Sequence, residues 1–138
     1  MDIDNKDGTI LIVDDSSNNI ELLCDILQND YEVLFATTGK KALEMVPRIL
    51  PDLILLDIVM PEMTGYEVIQ CLKNDPETSH IPVIFITAKS TSEDMVKGFK
   101  MGAVDYISKP FFAEEIKVRV NTHIENQLLL KALMAYTT

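Results

Sequence analysis

The chain is short of positive charge. Its 138 residues hold 22 aspartates and glutamates against 12 lysines and arginines, a formal net charge of −10. A surface of that sign repels a phosphate backbone, which argues against direct nucleic-acid binding, and no DNA-reading element is present. The acidic surplus suits divalent-cation binding or plain solubility. Cysteine is scarce: Cys24 and Cys71 lie far apart, both in helical patterns, and read as reduced core thiols of a cytoplasmic chain. No apolar run approaches the roughly 20 residues that span a bilayer. The opening MDIDNKDG is acidic and lacks the basic and apolar regions of a signal peptide. There is no internal repeat and no low-complexity segment. With 47% hydrophobic and 25% charged residues, the composition is that of a single domain able to bury a core, not of a disordered segment.

What is present is organised around Pro51–Gly65 (PDLILLDIVMPEMTG). Leu53–Leu56 is an unbroken apolar run too short for an ordinary helix, and it ends in Asp57. Such a run reads as a strand buried on both faces, hence as part of a parallel sheet between helices. Ligands bind beyond the carboxyl ends of strands in such sheets, which stands Asp57 at a pocket. Taken alone, Asp57 could merely cap the turn that follows.

The rest of the chain alternates in the same way. Thr9–Val13 reads as a strand ending in Asp14-Asp15. Ser16, Ser17, Asn18 and Asn19 start a helix whose apolar face is Ile20, Leu23, Cys24 and Leu27. Tyr31–Thr37 is a strand, and Gly39 to about Met45 a helix that Pro47 should leave short or kinked. Tyr66–Lys73 is helical, Asn74–His80 a loop, and Ile81–Thr87 a strand entered at Pro82. Ser92–Lys100 is a helix closed by Gly102, and Ala103–Ser108 the last strand. Lys109-Pro110 turns the chain into a helix starting near Phe112. Five β-α repeats with short loops favour right-handed crossovers and a parallel sheet.

That order brings Asp14, Asp15, Asp57, Thr87 and Lys109 to one edge of the sheet. Crowded carboxylates repel one another unless a cation neutralises them, and hard oxygen ligands with room for water suit Mg2+. A hydroxyl and an ammonium beside them are what an incoming phosphoryl group needs. The bland readings are a helix cap for Asp14-Asp15, a turn lysine for Lys109 and a plain strand end for Thr87. His80 and His123 read as structural or surface residues, and Met60, Met63, Met95 and Met101 as packing.

From about Gly8 to His123 the chain resembles the receiver domain of bacterial two-component response regulators. The motifs are ILIVDD (Ile10–Asp15), LILLDIVMPEMTG (Leu53–Gly65), FITA (Phe85–Ala88) and DYISKPF (Asp105–Phe111). The resemblance implies a doubly wound, flavodoxin-like α/β fold with five parallel strands in the order 2-1-3-4-5. It implies a receiver over 8–122, an amino-terminal extension over 1–7 and a helical extension or linker over 123–138. By the same match Asp57 is the phosphoacceptor for a phosphohistidine on a sensor histidine kinase or phosphotransfer protein. Asp15, Asp57 and the carbonyl of Val59 would bind Mg2+ directly and Asp14 through water. Thr87 and Lys109 would hold the phosphoryl oxygens, helped by amides near Val59 and Ala88. A cis peptide is implied at Lys109-Pro110. Tyr106 would be the switch aromatic, rotating inward as Thr87 moves, although it also reads as half-buried core. The switched surface would be the fourth helix, fifth strand and fifth helix. Val59 and Lys89 stand where this family tunes the chemistry, and we expect a phosphorylated state lasting minutes or longer.

Three rival readings fit the residues less well. A haloacid-dehalogenase-type phosphatase needs an acid two residues after its nucleophile, where this chain has Val59. A flavodoxin-like binding module must cradle a phosphate in its first loop, where Asp14-Asp15 would repel one. A phosphate-insensitive scaffold usually loses part of the five-residue set, which is complete here. Asn121–Ala135 continues with helix formers, and Ile124, Leu128 and Ala132, with Leu129 and Leu133 beside them, form an apolar stripe that nothing evident covers. No clean heptad emerges. The stripe could pair two copies, as could the fourth-helix face. It could also be the stem leading to a cyclase, phosphodiesterase or kinase output module, or cap a free-standing regulator. The reading preferred is a receiver cut from, or natively preceding, a larger protein, its output acting in cis or on a partner in trans.

Overall fold

The computed structural model describes residues 6–137. Most of the extension expected over 1–7 lies outside them. The element order is β1 (Thr9–Val13), α1 (Ser17–Leu27), β2 (Glu32–Ala36), α2 (Gly39–Ile49), β3 (Leu53–Leu56), α3 (Gly65–Asn74), β4 (Val83–Thr87), α4 (Ser92–Lys100), β5 (Asp105–Ser108) and α5 (Ala113–Thr137). All strand pairings are parallel, in the order β2-β1-β3-β4-β5, as expected.

Alternation along the central strands explains the layers. Leu11, Val13, Ile54, Leu56, Val83 and Phe85 face one way and pack against α2 and α3. Their neighbours Ile10, Ile12, Leu53, Leu55, Ile84 and Ile86 face the other way, against α1 and α5. Every residue of β3 and β4 is buried, which is why those strands lack polar alternation. A buried Leu or Ile contributes roughly 1.5–3 kcal/mol relative to exposure, so the two layers supply most of the driving force. Helix starts follow their caps: Ser16, Thr38, Thr64 and Thr91 each accept the amide three residues on. Thr64 and Glu67 complete a reciprocal capping box.

Several expectations need correction. The second helix is not short: α2 runs through Pro47 to Ile49. Pro47 falls in the last turn, where it forfeits a single hydrogen bond, and Leu50 closes the helix in the left-handed region at φ 49°. Cys71 is exposed, because α3 buries Tyr66, Val68, Ile69 and Leu72 and turns position 71 to solvent; Cys24 is only half-buried. The strands expected over Tyr31–Thr37, Ile81–Thr87 and Ala103–Ser108 are shorter, since their first residues are turn or loop. Gly102 follows α4 at φ 107°, a backbone conformation suited to glycine.

The apolar stripe of the tail is only partly uncovered. α5 continues without a break past residue 122, about 37 Å in all. Ile124 is buried in the α1/α5 layer and Gln127 is buried beside it, so the domain does cover the first part of the stripe. Lys131 reaches Asp52, at the entrance to β3, at 2.8 Å. Leu129, Leu130, Leu133 and Met134 stay exposed. No helix among the described residues is long and apolar enough to cross a membrane.

Candidate functional site

The sheet's own ladder carries the polar residues past the strand ends. The Asp14 amide donates to Ala36 O at 3.1 Å, Asp57 to Val13 O at 2.9 Å, and Lys109 to Thr87 O at 2.9 Å. Their side chains therefore stand on rigid backbone at one edge. Asp14 and Thr87 are fully buried and Asp57 nearly so, whereas Asp15 is exposed.

Lys109 is the hub. Its Nζ donates to Asp57 Oδ2 at 3.0 Å and to Asp14 Oδ2 at 3.1 Å. The other Asp57 oxygen accepts the Val59 amide at 3.2 Å. Asp14 Oδ1 accepts the Ser16 amide at 2.9 Å, and Asn19 Nδ2 reaches Oδ2 at 3.4 Å. Carboxylate oxygens of Asp14, Asp15 and Asp57 all lie within 4.8 Å of one another. Burial pushes the Asp14 carboxyl up, the nearby Asp57 charge adds to this, and the Ser16 amide and Lys109 offset only part of it. For Lys109 burial works against the charge, but Asp57 and Asp14 outweigh it and hold the ammonium above its usual range. A hard, oxygen-only, incompletely neutralised set is what Mg2+ takes, so these residues fit that ion.

Thr87 joins the edge through its Lys109 backbone bond, and its Oγ1 accepts the Lys89 amide at 3.3 Å. The Lys89 carbonyl in turn accepts the Tyr106 hydroxyl. Tyr106 is buried, its ring edge-on to Phe85 at 6.1 Å. Lys109-Pro110 is cis. Val59 has an exposed side chain, and His80 and His123 stand apart from the acidic edge; His123 pairs with Asp105 at 3.0 Å.

Three contributors are not legible as site residues, and a fourth, Lys89, is legible only for its side chain. Ser16 and Asn19 orient Asp14, and an Asp followed two residues later by Ser was the available signal. Gly65 is required by contact: a Cβ there would stand 2.3 Å from the Asp57 carbonyl oxygen. The Lys89 backbone, linking Thr87 to Tyr106, leaves no trace in side-chain chemistry.

Fold and site together define a doubly wound domain with an acidic cradle and one lysine at the carboxyl edge of its sheet, the design of a phosphoacceptor. Residues 10–121 match the family model of the response regulator receiver domain, and the chain belongs to that family. Over 119 residues it is 53% identical to a probable cyclic di-GMP phosphodiesterase of Vibrio cholerae, covering 86% of this chain and 27% of that protein. It is 42% identical over 125 residues to the response regulator PleD of Caulobacter vibrioides, covering 90% of this chain and 28% of that one. Among solved structures, the receiver domain of a LuxO-type repressor protein from Vibrio parahaemolyticus superposes with a TM-score of 0.85 at 29% identity, over 91% of this chain and 96% of that one. The chain thus spans little more than a quarter of the length of either of these curated relatives.

Proposed function

We propose that Asp57 is the phosphoacceptor of this receiver and that Lys109, Thr87 and an acidic metal cradle serve it. The observation that carries this is the Lys109 ammonium bonded to both Asp57 and Asp14 where three carboxylates converge. An Asp57 carboxylate oxygen attacks the phosphorus of a phosphohistidine on a sensor kinase or phosphotransfer protein. The P–O bond forms as the P–N bond breaks, and the imidazole leaves with a proton from solvent. Asp15, Asp57 and the Val59 carbonyl would hold Mg2+ directly and Asp14 through water; the ion supplies charge neutralisation of the phosphoryl oxygens. Lys109 shifts from its two carboxylates to a phosphoryl oxygen, and the Thr87 hydroxyl donates to another. Moving Thr87 pulls on Lys89 and so on Tyr106, which ties the site to the α4-β5-α5 face.

The whole protein's role is read from the same features. The domain is cytoplasmic, and its receiver boundary near residue 122 falls within α5, whose packed part runs on to Gln127. The exposed half of α5 is the stem to an output module in cis or a contact with a partner in trans, and two copies pair through this helix or through α4-β5-α5. Both named relatives carry far more chain than the matched domain, which supports the stem. Incubation with acetyl phosphate and Mg2+ tests the site. The intact mass rises by about one phosphoryl group, the rise requires Mg2+, and Asp57→Asn abolishes it. No gain in a folded sample that binds Mg2+ would leave a phosphate-insensitive scaffold.

A further inference from the structure

Among the described residues, the Tyr66 hydroxyl is the buried side-chain polar atom without a hydrogen-bond partner. Tyr66 is 9% exposed and sits in the same core layer as Phe85 and Tyr106. The three rings form one packed row: Tyr66 meets Phe85 edge-on at 5.7 Å, and Phe85 meets Tyr106 edge-on at 6.1 Å. The row has no slack beneath α4, since a Cβ on Gly98 would lie 3.1 Å from Phe85 and 3.3 Å from Tyr106. A shift of one tyrosine is therefore felt by the other.

Lys89 meets both tyrosines, its carbonyl at the Tyr106 hydroxyl and its ammonium near the Tyr66 ring. Its amide holds the Thr87 hydroxyl and its carbonyl accepts the Tyr106 hydroxyl. Its ammonium stands 4.0 Å from Asp94 and 5.9 Å from the Tyr66 ring centroid, with Lys97 of α4 closer over the same ring at 4.1 Å. An outward turn of Tyr106, as the proposed switch requires, would take the donor from the Lys89 carbonyl while Tyr66 still holds an unused one. A buried hydroxyl such as that of Tyr66 is costly to leave unpaired.

We propose that Tyr66 is a second switch residue, whose hydroxyl takes the Lys89 carbonyl in the conformation that Tyr106 has left. This rests on the receiver reading, in which phosphoryl binding favours the conformation with Tyr106 inward. The Tyr66 bond then belongs to the other conformation alone and sets the resting balance against the phosphorylated state. Tyr66 acts through Lys89 and Thr87; it is a positioning residue.

The test uses the 138-residue chain and beryllofluoride as a phosphoryl mimic, with affinity read by titration calorimetry in Mg2+. Tyr66→Phe keeps the ring and removes only the hydroxyl. It binds beryllofluoride about fivefold more tightly than wild type, the effect of one net hydrogen bond removed from the competing conformation. Equal affinities for wild type and Tyr66→Phe would overturn the proposal and leave the receiver reading standing. A wild type with no Mg2+-dependent beryllofluoride binding would overturn that reading, and this inference with it.

Discussion

Two carboxylate–cation clusters stand on this domain, and they are built to opposite ends. At the sheet's carboxyl edge, two buried aspartates share one lysine, and Asp14 is pushed upward by its burial. On the β5-α5 face a single aspartate, Asp105, draws on three donors: Arg119 at 2.7 Å, the Tyr106 amide at 2.8 Å and His123 at 3.0 Å. Burial works to raise Asp105 as well, yet those donors outweigh it and hold the carboxyl below its usual range. The first cluster gathers three carboxylates around one lysine and keeps negative charge uncancelled. The second has none to spare and works as a clasp between strand and helix. In the proposed reading, function sits where neutralisation is incomplete.

The largest way to break this contrast is to remove the shared cation. Lys109→Met should slow phosphoryl gain from acetyl phosphate by roughly 10²–10³-fold at saturating Mg2+, followed by intact mass. A wild-type rate would put Lys109 outside the chemistry. In the clasp, Asp105→Asn should destabilise the fold by about 1–2 kcal/mol at pH 7, measured by urea unfolding. A depressed carboxyl adds stability above its unfolded pKa and loses it as pH falls through the folded one. The gap to wild type should therefore shrink as pH falls below the ordinary aspartate range. A gap independent of pH would show that Asp105 acts by shape alone.

The contrast sharpens at Asp14, where the sign reverses. A raised carboxyl costs stability once pH exceeds its unfolded value, and the cost is complete above its folded one. Without Mg2+, Asp14→Asn should melt on the order of 2–4 °C above wild type at pH 7, the gain vanishing toward pH 3. Added Mg2+ should stabilise wild type more than the variant. Smallest of all, Leu133→Lys on exposed α5 should change unfolding stability by no more than about 0.5 kcal/mol. A larger loss would mean that this half of the helix is packed after all.

Much of this could be read from residue order. Leu53–Leu56 gave a strand buried on both faces, and the polar residues after each strand fell at one edge because a parallel sheet leaves them nowhere else. Periodicity could not say which helical residue meets which neighbour. Ile124 belongs to the apolar pattern of a tail, and only the path of α5 across the sheet shows it buried. The same holds for Cys71, whose outward turn depends on the register of α3. Pro47 misled because the cost of a helical proline depends on its distance from the helix end. The Asp105 clasp joins residues 14 and 18 positions apart, too far for any local rule.

The central claim is that one carboxylate, Asp57, takes the phosphoryl group while its equally buried neighbour only helps to neutralise. Borohydride reduces an acyl phosphate of aspartate to homoserine, and peptide mass spectrometry locates the change. After acetyl phosphate and Mg2+, homoserine should appear at position 57 and at neither 14 nor 15. Homoserine at Asp14 or Asp15, with Asp57 intact, would contradict this account.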